Sequence, residues 1–129
     1  MSTSPKITPV LVYDDIEAGH DYLVKVFGFT SGGLQRLNNG TVVHGEVSLG
    51  GDVIWLHRVS PEHDLDSPRR AASHAGLSIQ IPDVDDHYAR TKAAGAHIDA
   101  EPSNQPYGLR EYGARDPEGH RWWFNTPTA

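Results

Sequence analysis

The chain has 129 residues, 37% apolar and 22% charged, enough for one hydrophobic core but not two, and unlike a disordered, coiled-coil or collagenous chain. A net charge of -6 with no basic stripe beyond Arg69 and Arg70 argues against a nucleic-acid partner, and the absence of cysteine excludes disulfides, thiolate nucleophiles and Cys-based zinc sites. No apolar run reaches membrane-spanning length, and the start MSTSPKITPV lacks the regions of a signal peptide, which favours a cytoplasmic protein with no membrane partner.

Residues 1–5 read as a loose arm, and the β-branched run over 7–13 as a strand. Asp14 and Asp15 then supply capping acceptors for a helix over 16–27 that buries Ile16, Leu23, Val26 and Phe27 and stops at Gly28. Three strands follow over 29–36, 41–49 and 52–59, with Asn39-Gly40 and Gly50-Gly51 as the turns between them. Residues 60–73 are polar, contain two prolines and read as a connector with a helical turn near 69–72. The order then recurs: a strand over 77–81, a helix over 84–94 capped by Asp83 and closed by Gly95, and strands over 96–100, 110–115 and 121–125.

Arithmetic supports the recurrence. Asp15 and Asp83, Gly51 and Gly119, and Trp55 and Trp123 are each 68 residues apart, while Gly28 and Gly95 are 67 apart, which one deletion in the second helix would explain. Such a period marks a duplicated unit that packs against its own copy. The chain therefore reads as one domain over 1–129, with repeat one over 6–59, a linker over 60–75 and repeat two over 76–126.

A duplicated βαβββ unit carrying a Pro-Tyr-Gly turn at 106–108 and an Asp-Pro-Glu-Gly-His turn at 116–120 resembles the vicinal oxygen chelate superfamily. The segments VLVYDDIEAGHDYLVKVFGF and QPYGLREYGARDPEGHRWWF are similar to its glyoxalase/bleomycin-resistance branch. The resemblance implies an α+β fold in which two βαβββ repeats form a curved, cup-like mixed sheet with helices on the convex side. One such fold hosts many chemistries.

Family enzymes hold a divalent metal with side chains from the first and last strands of each repeat. The resemblance places those positions at Thr8, Trp55, Gly76 and Trp123, none of which is a usual ligand for Zn, Ni, Fe or Mn. A displaced site built from His44, Glu46 and His57 is the alternative, against a reading in which these are polar residues lining a wet cup. His20, His63, His87 and His97 read as exposed helix or loop residues.

On the same alignment Trp55 and Trp123 face the cup, while Ile54, Leu56, Trp122 and Phe124 face the core. Tyr112, matched to His44 by the offset of 68, is expected in the cup, with Arg110 beside it on the same face. The expected ligand contacts are thus Trp55, His57, Trp123, Tyr112, Arg110, His44 and Glu46, an aromatic surface with a few polar groups, suited to a planar molecule. Two tryptophans that simply fill the cup are the competing reading. Arg115, Asp116 and His120 read as a set that stabilises the turn.

The functional expectation is a metal-independent binding protein without a cofactor, a homodimer that sequesters a small planar ligand such as an antibiotic. The alternative is a metal-dependent lyase, dioxygenase or epimerase.

Overall fold

The computed structural model describes residues 4–128. Of the arm expected over 1–5, residues 1–3 lie outside the described residues, and residues 4 and 5 are exposed and irregular.

Repeat one runs β1 (Val10–Tyr13), α1 (Ile16–Lys25), β2 (Thr30–Arg36), β3 (Val42–Leu49) and β4 (Asp52–Arg58). Repeat two runs β5 (Gly76–Gln80), α2 (Val84–Ala93), β6 (His97–Asn104), β7 (Leu109–Arg115) and β8 (Arg121–Pro127). Each repeat forms its own mixed sheet, ordered β1-β4-β3-β2 and β5-β8-β7-β6, so the duplication is visible in the topology. Among the described residues no helix is long and apolar enough to cross a membrane.

Both helices start as their sequences require. Asp15 accepts a hydrogen bond from Ala18 N–H (3.0 Å), and Asp83 does the same for Asp86 N–H (3.1 Å). Helix α1 is two residues shorter than expected: Val26 caps it and Gly28 takes φ 85°, which frees Phe27 from the helix. The ring of Phe27 then crosses to repeat two and meets Trp122 at 5.5 Å and Phe124 at 5.0 Å, both edge-on. Such pairs contribute about 0.5–1.5 kcal/mol each beyond their burial. Strand β6 runs four residues past its expected end and tolerates Pro102 because it lies at the sheet edge, with register shifts on either side of Ala100.

The connector holds two short 3-10 turns, Pro61–His63 and Pro68–Arg70, the second beginning one residue before the expected helical turn because Pro68 sets its first φ. A buried carboxylate fixes it. Glu118 accepts from the backbone N–H of Asp14 (2.8 Å) and Asp15 (2.9 Å) and from Ser67 Oγ–H (2.5 Å). Start of α1, connector and the 116–120 turn therefore meet at one side chain.

The core is shared by both repeats and lies on the helix-bearing sides of the two sheets, with Tyr13, Leu23, Phe27, Leu56, Tyr112, Trp122 and Phe124 buried together. His20 and His87, expected at the surface, are each only 8% exposed. His87 donates from Nε2 to the Phe27 carbonyl (2.8 Å) and accepts at Nδ1 from the Tyr112 hydroxyl (2.6 Å), so it serves as a polar strut across the repeats. Burial pushes the His87 imidazole below its usual pKa and the Tyr112 phenol up to about 12.

Candidate functional site

Strand period decides which side chains leave the core. In β4, Ile54 and Leu56 turn inward, so Trp55 and His57 turn outward. Antiparallel pairing sets Glu46 opposite Trp55 and His44 opposite His57, which gathers all four on one open face. Trp55 is 42% exposed, an unusual position for so large an apolar ring, and the His44 ring meets it edge-on at 5.9 Å. His44 Nε2 lies 3.3 Å from Glu46 Oε1. His57 turns instead to its own strand, with Nδ1 2.6 Å from the Arg58 carbonyl oxygen.

The open face of the second sheet is built around Trp123. A Cβ added to Gly76 would stand 2.1 Å from Trp123 Cζ3, so the indole lies across the strand where any other residue would project. On its other side it passes over Gly113, and the Arg121 guanidinium sits 5.6 Å from its ring centroid. Arg121 is held by Asp99 (3.1 Å). Beyond them Asn125 donates to Ser78 Oγ (2.8 Å) and to Glu111 Oε2 (3.1 Å).

Tyr112 and Arg110 do not belong to either open face. Tyr112 is 1% exposed and packs in the core against Phe124, its hydroxyl 2.9 Å from Thr91 Oγ1. Arg110 shares its side of β7 and pairs with Asp85 of α2 (3.0 Å). The cause is a single residue: Glu46 pairs with Trp55, nine positions on, whereas Gly113 pairs with Trp123, ten positions on. The Asp-Pro-Glu-Gly-His turn carries the extra residue, and a shift of one flips every side chain of β7. The true counterpart of His44 is therefore Glu111, a residue that the offset of 67 between Gly28 and Gly95 would have found.

The seam between the repeats also separates the two faces. Phe27, Phe29 and Trp122 join the sheets through their helix-bearing sides, so the faces carrying Trp55 and Trp123 both turn away from the shared core. Trp55 lies partly open to solvent instead of being enclosed by its own chain.

A model of the Glyoxalase/Bleomycin resistance protein/Dioxygenase superfamily matches residues 7–124. The chain belongs to this superfamily. Among solved structures, TioX from Micromonospora sp. ML1 is similar at 32% identity, covering 96% of this chain and 99% of that one with a TM-score of 0.75. TnmS3, described as an antibiotic binding protein from a Streptomyces species, is similar at 26% identity over 99% of both chains, with a TM-score of 0.73. An uncharacterized protein of Mycobacterium tuberculosis is 26% identical over 98% of this chain and 77% of its own length.

Of the residues that the resemblance matches to the superfamily's metal positions, Trp55, Gly76 and Trp123 lack the side-chain donors that a metal needs. Gly76 offers no donor, and the space beside it is taken by the Trp123 ring, while Trp55 presents an indole. The displaced set fares no better as a cluster: His44 and Glu46 approach one another but His57 is turned aside, and among the described residues no three His, Asp or Glu side chains form a group able to hold a metal ion. Asp116 and His120 form the expected turn-stabilising pair (3.0 Å), but Arg115 leaves it for Asp99 (2.9 Å).

Proposed function

We propose that this superfamily member is a metal-independent binding protein that sequesters a planar organic molecule, such as an antibiotic, in the cytoplasm. It acts as a homodimer in which the Trp55 face of one copy closes over the Trp123 face of the other. The exposed indole of Trp55 carries this reading. A ring 42% exposed on a face that its own core does not use, beside the exposed Val10 to which it is paired, is an apolar surface in search of a cover.

In this arrangement Trp55 and Trp123 supply the flat walls, and His44, Glu46, Arg121 and Glu111 supply the polar edges that fix orientation. The likeness to an antibiotic binding protein supports the same class of ligand. The test uses protein purified without a polyhistidine tag and a panel of planar aromatic antibiotics. Saturable quenching of tryptophan fluorescence that is lost in Trp55→Ala supports the proposal. Stoichiometric Zn, Ni, Fe or Mn that disappears in His57→Ala would overturn it in favour of a metal-dependent lyase, dioxygenase or epimerase.

A further inference from the structure

Two arginines meet at one carboxylate beside Trp123. Asp99, on the edge strand β6, is only 14% exposed at its side chain and lies 2.9 Å from Arg115 Nε of β7 and 3.1 Å from Arg121 Nε of β8. The cluster therefore carries one positive charge in excess, before any contribution from His97, whose Nε2 lies 3.3 Å from the same carboxylate. Both guanidinium groups reach Asp99 through Nε, and among the described residues no other group accepts from either. Their Nη groups, the fork that grips a planar carboxylate, are left over.

A third donor stands beside them. A Cβ placed on Gly113 would have Asp99 Cβ at 3.7 Å and Trp123 Nε1 at 3.6 Å, so the nitrogen edge of the indole borders the same floor as the carboxylate. Among the described residues the Trp123 N–H has no acceptor, and the one buried side-chain nitrogen or oxygen without a partner is His120 Nε2, so Trp123 Nε1 reaches solvent. The Arg121 guanidinium, 5.6 Å from the centre of the indole, brings its charge against the ring. Glu111, the carboxylate two residues from Gly113 on β7, is taken up by Tyr107 and Asn125. Open donors, a surplus cation and an aromatic face thus converge on Gly113.

We infer that the planar molecule bound at this face carries a carboxylate, seated over Gly113 between Arg115, Arg121 and the Trp123 N–H. The inference rests on the reading of the tryptophan faces as a binding site and narrows its ligands to aromatic acids. A neutral ring leaves both arginine forks without an acceptor, and a cationic ring meets like charge.

The probes are 2-naphthoate, 2-naphthalenemethanol and 2-naphthylmethylammonium, which share one ring and differ in charge, titrated into the full chain by calorimetry at neutral pH. The naphthoate is expected to bind at least about tenfold more tightly than the alcohol, and the ammonium more weakly than either. Arg121→Gln and Arg115→Gln are each expected to weaken naphthoate binding about fivefold or more while moving the alcohol less than about twofold, which also shows that the face is still folded. Arg36→Gln, at a site that pairs with Glu17 on α1, is expected to leave all the affinities unchanged. Naphthoate binding no tighter than that of the alcohol, or a preference untouched by both arginine variants, would overturn the inference and leave the planar-ligand reading standing where alcohol binding is lost in Trp55→Ala. No binding of any probe at millimolar concentration would overturn it as well, and the antibiotic panel then tests the planar-ligand reading alone. An arginine-dependent preference for naphthoate that survives Trp55→Ala supports the carboxylate site and overturns the closure of the Trp55 face over Trp123.

Discussion

Gly76 and Trp123 occupy one another's space: a methyl group on the first would lie 2.1 Å from the ring of the second. The glycine is what allows the indole to lie across β5. Gly76→Ala is therefore expected to drive Trp123 off its seat, at a cost of about 1–3 kcal/mol in stability and with a change in tryptophan fluorescence. Gly51→Ala, where nothing stands within 4 Å, serves as the control and is expected to change neither. An unaltered emission spectrum in Gly76→Ala would contradict the packing.

The three tryptophans should separate binding from folding. Trp122 is 1% exposed and Trp55 is 42% exposed. Trp122→Ala is expected to lose about 3–5 kcal/mol in urea unfolding, as buried aromatic truncations do. Trp55→Ala is expected to stay within about 0.5 kcal/mol of the parent while losing planar-ligand binding. Equal losses of stability in the two variants would mean that Trp55 is a structural residue.

His87 gives the fold a pH dependence. In the unfolded chain its ring titrates near about 6.5, and burial lowers that value in the folded protein. Below about pH 6.5 the unfolded state therefore binds a proton that the folded state refuses. The contribution of neutral His87 is present in full above that pH and is lost as pH falls toward and through the folded value. Urea midpoints measured across this range are expected to fall more steeply in the parent than in His87→Gln, and identical slopes would refute the assignment.

Glu118 holds the connector to α1. Removing its carboxylate in Glu118→Ala leaves the N–H groups of Asp14 and Asp15 and the Ser67 hydroxyl without their acceptor. A loss of about 3 kcal/mol is expected, together with faster proteolytic cleavage in residues 60–75. Cleavage at the parental rate would show that the connector is secured elsewhere.

Most of the fold was legible because the signals were local. Asp15 and Asp83 cap helices, Gly28 and Gly95 end them, and Ile54 and Leu56 alternate with Trp55 and His57 as strand geometry demands. The site is only partly legible, since an offset of 68 runs through a turn that contains one residue more than its counterpart and so puts Tyr112 and Arg110 on the wrong face of β7. Burial of His20 and His87 was invisible for a different reason. Both stand on helices among polar neighbours, and what partners them lies outside the helix, on the next strand for one and in the other repeat for the other: Ser31 Oγ lies 2.7 Å from His20 Nε2, and the Phe27 carbonyl accepts from His87.

By itself the sequence determined the duplicated unit, its capped helices, the alternation of side chains along β4 and β8, whose inward face the resemblance supplied, and the lack of a usual metal donor at Gly76 and the two tryptophans. These follow from residue types and short-range periods. Only the tertiary structure decided that Trp55 and Trp123 look away from a common core, that Glu111 rather than Tyr112 stands beside the open face, and that Arg115 and Arg121 meet at Asp99. Each depends on strand register or on packing between residues far apart in the chain, where one residue in a turn reverses a face and no local pattern records the change.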